Sequence, residues 1–140
     1  MAAETKLRQG TPAWFEMVGS LMCEAASGAG LSPELNVSFV ERYSDGVELW
    51  AGRIQGIRFD IINGKPSFTS GVPPGERADV TVEITAAAAR KLNAMYSADP
   101  NYQTERDNYL QAGAMRVEGD ISQLGRWVEA VHDRIVDRTS

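Results

Sequence analysis

Few residues in this 140-residue chain are equipped for chemistry. His132 is its single histidine and Cys23 its single cysteine. One of each cannot supply the four ligands of a structural zinc site, and no disulfide can close within the chain. Nothing in the spacing brings the two together as nucleophile and base. Cys23 lies beside an apolar helical stripe and reads as a small packing residue. His132 falls where the stripe of the last helix meets its polar flank and reads as a boundary residue. Gly71 and Gly75 do not stand between a strand and a helix, so the context of a phosphate-cradling loop is missing. Asp99, Glu105 and Asp107 lack the glycine and the spacing of a calcium-binding loop. Asp120 with Gln123 three residues later reads as a capping box. Asp60 interrupts an apolar strand and is expected on its outward parity.

What remains is apolar equipment with polar tips. Met95, Tyr96, Tyr102, Tyr109 and Met115 gather around the polar segment 99–111. Flexible Met and amphipathic Tyr suit contact with a greasy ligand that has one polar end. Ordinary core and rim packing would use the same residues.

These side chains need elements to hold them. Thr11 caps and Pro12 opens an expected helix over 12–30, with Trp14, Phe15, Val18, Leu21, Met22 and Ala25 on one face. From residue 36 the period becomes two. Val37, Phe39 and Tyr43 share one side of a strand, Asp45-Gly46 reads as a hairpin turn, and Val47, Leu49 and Ala51 alternate after it. Residues 52–56 read as a further turn. Ile57, Phe59 and Ile61 follow, then the hairpin signal Asn63-Gly64, a rigid loop over 71–75, and the alternating Val80, Val82 and Ile84. The expectation is an antiparallel meander of about five strands. Thr85 caps a helix expected to run from Ala86 to about Ala98, and residues 101–111 suit a short helix. Met115 and Val117 mark a last strand. Ile121, Leu124, Val128, Val131 and Ile135 mark the closing helix. The order implies a single α+β domain over 1–140, with a five- to six-stranded, mainly antiparallel sheet and helices packed on one face.

Composition bounds the function. Apolar residues are 43% and charged residues 24%, ordinary for a globular domain. The net charge of −5 is spread evenly, which speaks against a nucleic-acid partner and against a polybasic membrane contact. No apolar run is long enough to span a bilayer, and the first ten residues hold no apolar core of a secretory signal. A cytoplasmic setting is expected, with no stable membrane insertion.

Two stretches resemble a known family. One is Ala78-Asp79-Val80-Thr81-Val82-Glu83-Ile84-Thr85, continued by Ala87 to Leu92. The other runs from Tyr109 to Asp120, with Gly113, Val117, Gly119 and Asp120 in register and Leu124 following. Together they resemble the sterol-carrier-protein (type 2) domain, over roughly residues 36–138. The resemblance implies a sheet covered on one face by helices and a hydrophobic tunnel between them. It also implies binding of a sterol or steroid, a fatty acid or a fatty acyl-CoA, without a cofactor. Ala114 stands where the family carries a lysine, which removes a contact to a CoA phosphate. The connection from Leu92 to Gly113 is longer than the family's.

The expected ligand-binding residues are Phe59, Ile61, Val82, Ile84, Met95, Tyr96, Tyr102, Tyr109, Met115, Val117, Leu124 and Val128. No catalytic residue and no metal ligand is assigned. One alternative is a small isomerase or hydratase acting on a steroid-like or polyketide-like substrate, with Asp60 as base and Tyr96 or Tyr102 holding the enolate oxygen. Another is an accessory domain that presents a lipid-like substrate to a partner enzyme. On the outer face, Val40, Trp50 and Ile62 are apolar where polar residues are expected; scattered surface residues are ordinary, but if the three cluster they form an association patch, and a homodimer through the Trp50 face is the partner expectation besides the hydrophobic ligand.

Overall fold

The computed structural model describes residues 5–140. Helix α1 (Pro12–Gly28) starts as its capping chemistry requires, the Thr11 hydroxyl accepting from the Trp14 N–H at 3.2 Å. Six strands follow: β1 (Val37–Tyr43), β2 (Glu48–Trp50), β3 (Arg53–Ile62), β4 (Lys65–Val72), β5 (Val80–Ile84) and β6 (Met115–Glu118). Helices α2 (Ala86–Leu92) and α3 (Pro100–Ala112) come between β5 and β6. After β6 come a 3-10 turn (Ile121–Gln123) and helix α4 (Trp127–Asp137). The fold is α+β, as the element order implies.

The sheet is not a simple meander. β3 pairs antiparallel with β1 along one edge and with β4 along the other. β5 then lies on the far side of β1, parallel to it, with Phe39 opposite Val80 and Tyr43 opposite Ile84. β6 pairs antiparallel with β5. A parallel partner needs a crossover, and segment 73–79 supplies it. It is tied to the outer face where Arg42 Nε donates to the Glu76 carbonyl at 3.1 Å and the Ala78 N–H donates to Thr81 Oγ1 at 2.9 Å.

Turn chemistry is partly reassigned. Asn63-Gly64 makes the β3–β4 hairpin, with φ of 52° and 74°. Asp45-Gly46 folds no hairpin. Ile54 already pairs with Val72 on the β4 edge, so β2 continues along the edge that β1 occupies, and Ser44–Val47 is a jog between them. The hairpin sits one strand later, at Ala51 and Gly52 (φ 41° and 78°). Gly56 is therefore inside β3. A Cβ there would stand 2.8 Å from both the Glu41 carbonyl oxygen and Val72 Cγ2, so the glycine serves close packing rather than a turn.

Two helices end differently from expectation. α2 stops at Leu92 instead of continuing to Ala98, because residues 93–97 are held by α4. Asp133 accepts from the Ser97 N–H at 2.8 Å and its hydroxyl at 2.9 Å. The expected capping box does not open the last helix either. Asp120 accepts from the Ser122 N–H and hydroxyl and caps the 3-10 turn, and Gly125 (φ 120°) separates that turn from α4.

The core lies between the sheet's inner face and the helices. It holds Trp14, Phe15, Leu21, Phe59, Ile61, Val82 and Leu124 among others, and Phe59 meets Trp127 with ring centroids 5.3 Å apart. On the opposite face Val40, Trp50 and Ile62 do not cluster. Val40 is fully buried, whereas Trp50 and Ile62 are exposed near opposite ends of β3. Nine residues of strand at ~3.3 Å each separate those ends by roughly 30 Å.

Candidate functional site

The alternation of β1 decides what enters the space under the helices. Val37, Phe39 and Tyr43 point inward and are buried, so period two also sends Glu41 inward. Its register partners are Ile57 on β3 and Val82 on β5, both buried and apolar. The Glu41 side chain faces a cleft of about 90 Å³. Ile84 and Met115 complete the floor, Ala89, Leu92 and Asn93 come from α2, Tyr102 and Arg106 from α3, and His132 from α4.

The electrostatics follow from this placement. Burial raises the Glu41 carboxyl to about 7 from its ordinary 4.5, against the opposing pull of the Arg106 guanidinium. Among the described residues no hydrogen bond relieves that carboxylate, and Arg106 acts on it only through space. Beside it on β1, Tyr43 is pushed up to about 12, chiefly by burial, and its hydroxyl accepts from Gln9 Nε2 at 3.1 Å. Burial also raises the Tyr102 phenol, while Arg106 pulls it down.

The roof is weakly attached. α3 is thirteen residues long and buries none of them fully. Asp99 caps it, accepting from the Asn101 N–H at 2.9 Å, and Gly113 ends it in the left-handed region at φ 78°. Tyr102 lies against His132 with ring centroids 4.5 Å apart. His132 is itself fixed, because its Nε2 donates to the Met95 carbonyl at 2.8 Å, which leaves Nδ1 as an acceptor in the neutral ring.

Of the expected ligand-binding residues, Ile84, Tyr102 and Met115 line this cleft. Phe59, Ile61, Val82 and Leu124 belong to the close-packed core and border no void there. Met95, Tyr109, Val117 and Val128 are partly buried against that core, outside the cleft lining. Tyr96 leaves the site altogether, being 49% exposed and donating to Asp137 Oδ1 at 2.6 Å. The Asp60 pairing is not assembled. Asp60 sits on the outer face and accepts from Arg58 Nε and Nη2 at 3.2 Å, across the sheet from Tyr102. Glu41 and Arg106 were missed by reading residue types. Parity alone could have found Glu41, since it falls between two inward aromatics at 39 and 43.

On the other side of the sheet a shallow pocket of about 70 Å³ is lined by Arg42, Arg77, Thr81, Glu83, Arg116 and Glu118. Its charges largely neutralise one another through the pairs Arg42–Glu83 and Arg77–Glu118. No helix among the described residues is long and apolar enough to cross a membrane.

Neither a protein-family model nor a curated protein matches the sequence. Solved structures resemble its fold. A crystal structure of sterol carrier protein 2 superposes with a TM-score of 0.55 at 12% identity, covering 95% of this chain and 100% of that one. A conserved hypothetical protein from Thermus thermophilus gives 0.51 at 16% identity, with 98% and 92% covered. A variant of the sec-alkyl sulfatase PisA1 gives 0.50 at 20% identity, matching 84% of this chain and 16% of that longer one. The chain therefore has the sterol-carrier-protein fold, as the resemblance of its 78–92 and 109–120 stretches implies.

Proposed function

We propose that this protein binds an apolar small molecule between the inner face of the sheet and helices α2, α3 and α4. The observation that carries the reading is the cleft itself. Ile84 and Met115 floor it beside Glu41, Ala89 and Leu92 add apolar wall, and a helix that buries no residue fully roofs it. The cleft of about 90 Å³ is small beside the ~300–1,000 Å³ of typical ligand sites. Entry of a sterol or an acyl chain therefore requires α3 to move outward. Each methylene then buried contributes about 0.8 kcal/mol, so a long chain or a steroid nucleus binds with few polar contacts. The ligand class is sterol or steroid, fatty acid or fatty acyl-CoA, and the setting is the cytoplasm. Native mass spectrometry of the freshly purified protein tests this. A bound lipid, lost on organic extraction, is the expected result. Apo protein that also takes up no added lipid would overturn the reading.

A second reading is favoured by the sulfatase likeness, in which the fold makes up 16% of a longer enzyme chain. Here the domain presents its ligand to a partner enzyme. Turnover of an apolar substrate by that enzyme would then rise when the domain is added, and rates independent of the domain would exclude it.

A further inference from the structure

The cleft's charged lining has a consequence for which head group it admits. Glu41 and Arg106 face the same space without forming an ion pair. The site thus carries one negative and one positive group and is close to neutral overall. The remaining groups that face Glu41 are Tyr102 on α3, His132 on α4 and Tyr43 beside it on β1, while β5, β6 and α2 contribute only Ile84, Met115, Ala89, Leu92 and Asn93.

We infer that Glu41 is a specificity-determining residue, admitting apolar ligands with an uncharged hydroxyl head and rejecting those headed by a carboxylate. This rests on the apolar-ligand reading above. A hydroxyl donates to the Glu41 carboxylate and accepts from Arg106 or the Tyr102 phenol, so each cleft group gains a partner without added charge. A ligand carboxylate satisfies Arg106 but brings a second anion beside Glu41 in a poorly solvated space. An ammonium head meets the same obstacle from Arg106. Protonation of Glu41 lifts the first restriction, because a neutral carboxyl donates to the ligand's carboxylate. The raised Glu41 titration places that change close to neutral pH.

The test compares two fluorescent probes on the delipidated protein: dehydroergosterol, with a hydroxyl head, and cis-parinarate, with a carboxylate head. At pH 8 the wild type is expected to bind dehydroergosterol at least tenfold more tightly. Its cis-parinarate affinity should rise severalfold between pH 8 and pH 6. Glu41→Gln should gain about tenfold in cis-parinarate affinity at pH 8 and lose that pH dependence. The variant matters because the imidazole of His132 shares the cleft. Equal affinity of the wild type for both probes, with no pH dependence, would overturn the role of Glu41 and leave apolar-ligand binding standing. So would a Glu41→Gln protein with unchanged preference. Binding of neither probe by the wild type would overturn both. Should Glu41→Gln fail to fold, His132→Gln takes its place: a pH dependence that persists in that variant belongs to Glu41, and one that disappears overturns the role of Glu41.

Discussion

The ring of Tyr102 lies on the imidazole of His132 at 4.5 Å, tilted by 39°, and this contact joins the roof helix to the last helix. Besides Tyr102, α3 packs Tyr109 against the core. Among the described residues its one ion pair to a neighbour is Lys91–Glu105, 3.5 Å long, with the lysine side chain more than half exposed. Exposed pairs of that kind contribute about 0–1 kcal/mol. The roof is therefore held largely by its two half-buried tyrosines, Tyr102 and Tyr109, of which Tyr102 makes the contact to α4.

Tyr102→Ala should loosen α3 without unfolding the domain. Amide exchange over 100–112 is expected to accelerate by an order of magnitude or more, with residues 80–84 unchanged. Uniform acceleration across both segments would show that α3 is not a separate opening unit. A bound apolar ligand should slow exchange over 100–112 in the wild type.

Glu41 makes stability depend on pH. Its carboxyl is raised from 4.5 to about 7, so the folded state binds more protons than the unfolded state between those values. Stability therefore falls as pH rises from about 4.5 to about 7 and does not recover above it. The full effect is at most on the order of 3 kcal/mol. Urea titrations should give a midpoint that declines across this window for the wild type. Glu41→Gln should lack that component and be the more stable protein at pH 8. Parallel pH profiles for the two proteins would refute this assignment.

Gly56→Ala should destabilise by about 1–3 kcal/mol, in the range for overpacking. The added methyl would meet the Glu41 carbonyl oxygen at 2.8 Å, and backbone on the neighbouring strand cannot step aside as a side chain can. Denaturant midpoints measure the cost. A neutral result would mean that β1 and β3 slide apart more readily than their register indicates.

Phe59 separates core from ligand lining. It is fully buried against Trp127, and Phe59→Ala should cost about 3–5 kcal/mol. Ile84 and Met115, which face the cleft, should lose apolar-ligand affinity when shortened at a smaller cost in stability. Calorimetric melting with and without a bound lipid distinguishes the two classes.

The legibility of this molecule follows a physical division. Local chemistry was readable: the Thr11 and Thr85 caps, the Asn63-Gly64 hairpin and the inward parity of Phe59, Ile61, Val82 and Ile84 depend on near neighbours in the chain. Long-range pairing was not. The parallel alignment of β5 on β1 joins residues 41 positions apart, and no local signal distinguishes it from another turn of a meander. The end of α2 was hidden for the same reason, since Asp133 on a later helix holds Ser97 out of helical geometry. Glu41 shows the division at its sharpest. Its side of the strand was set by alternation, but its surroundings depend on Arg106 and His132 arriving from two helices far along the chain. Sequence alone determines which face a strand residue takes, because the pleat repeats every two residues. Only the tertiary structure decides whether that face meets water, packed core or a cleft, because burial is created by whatever packs against it.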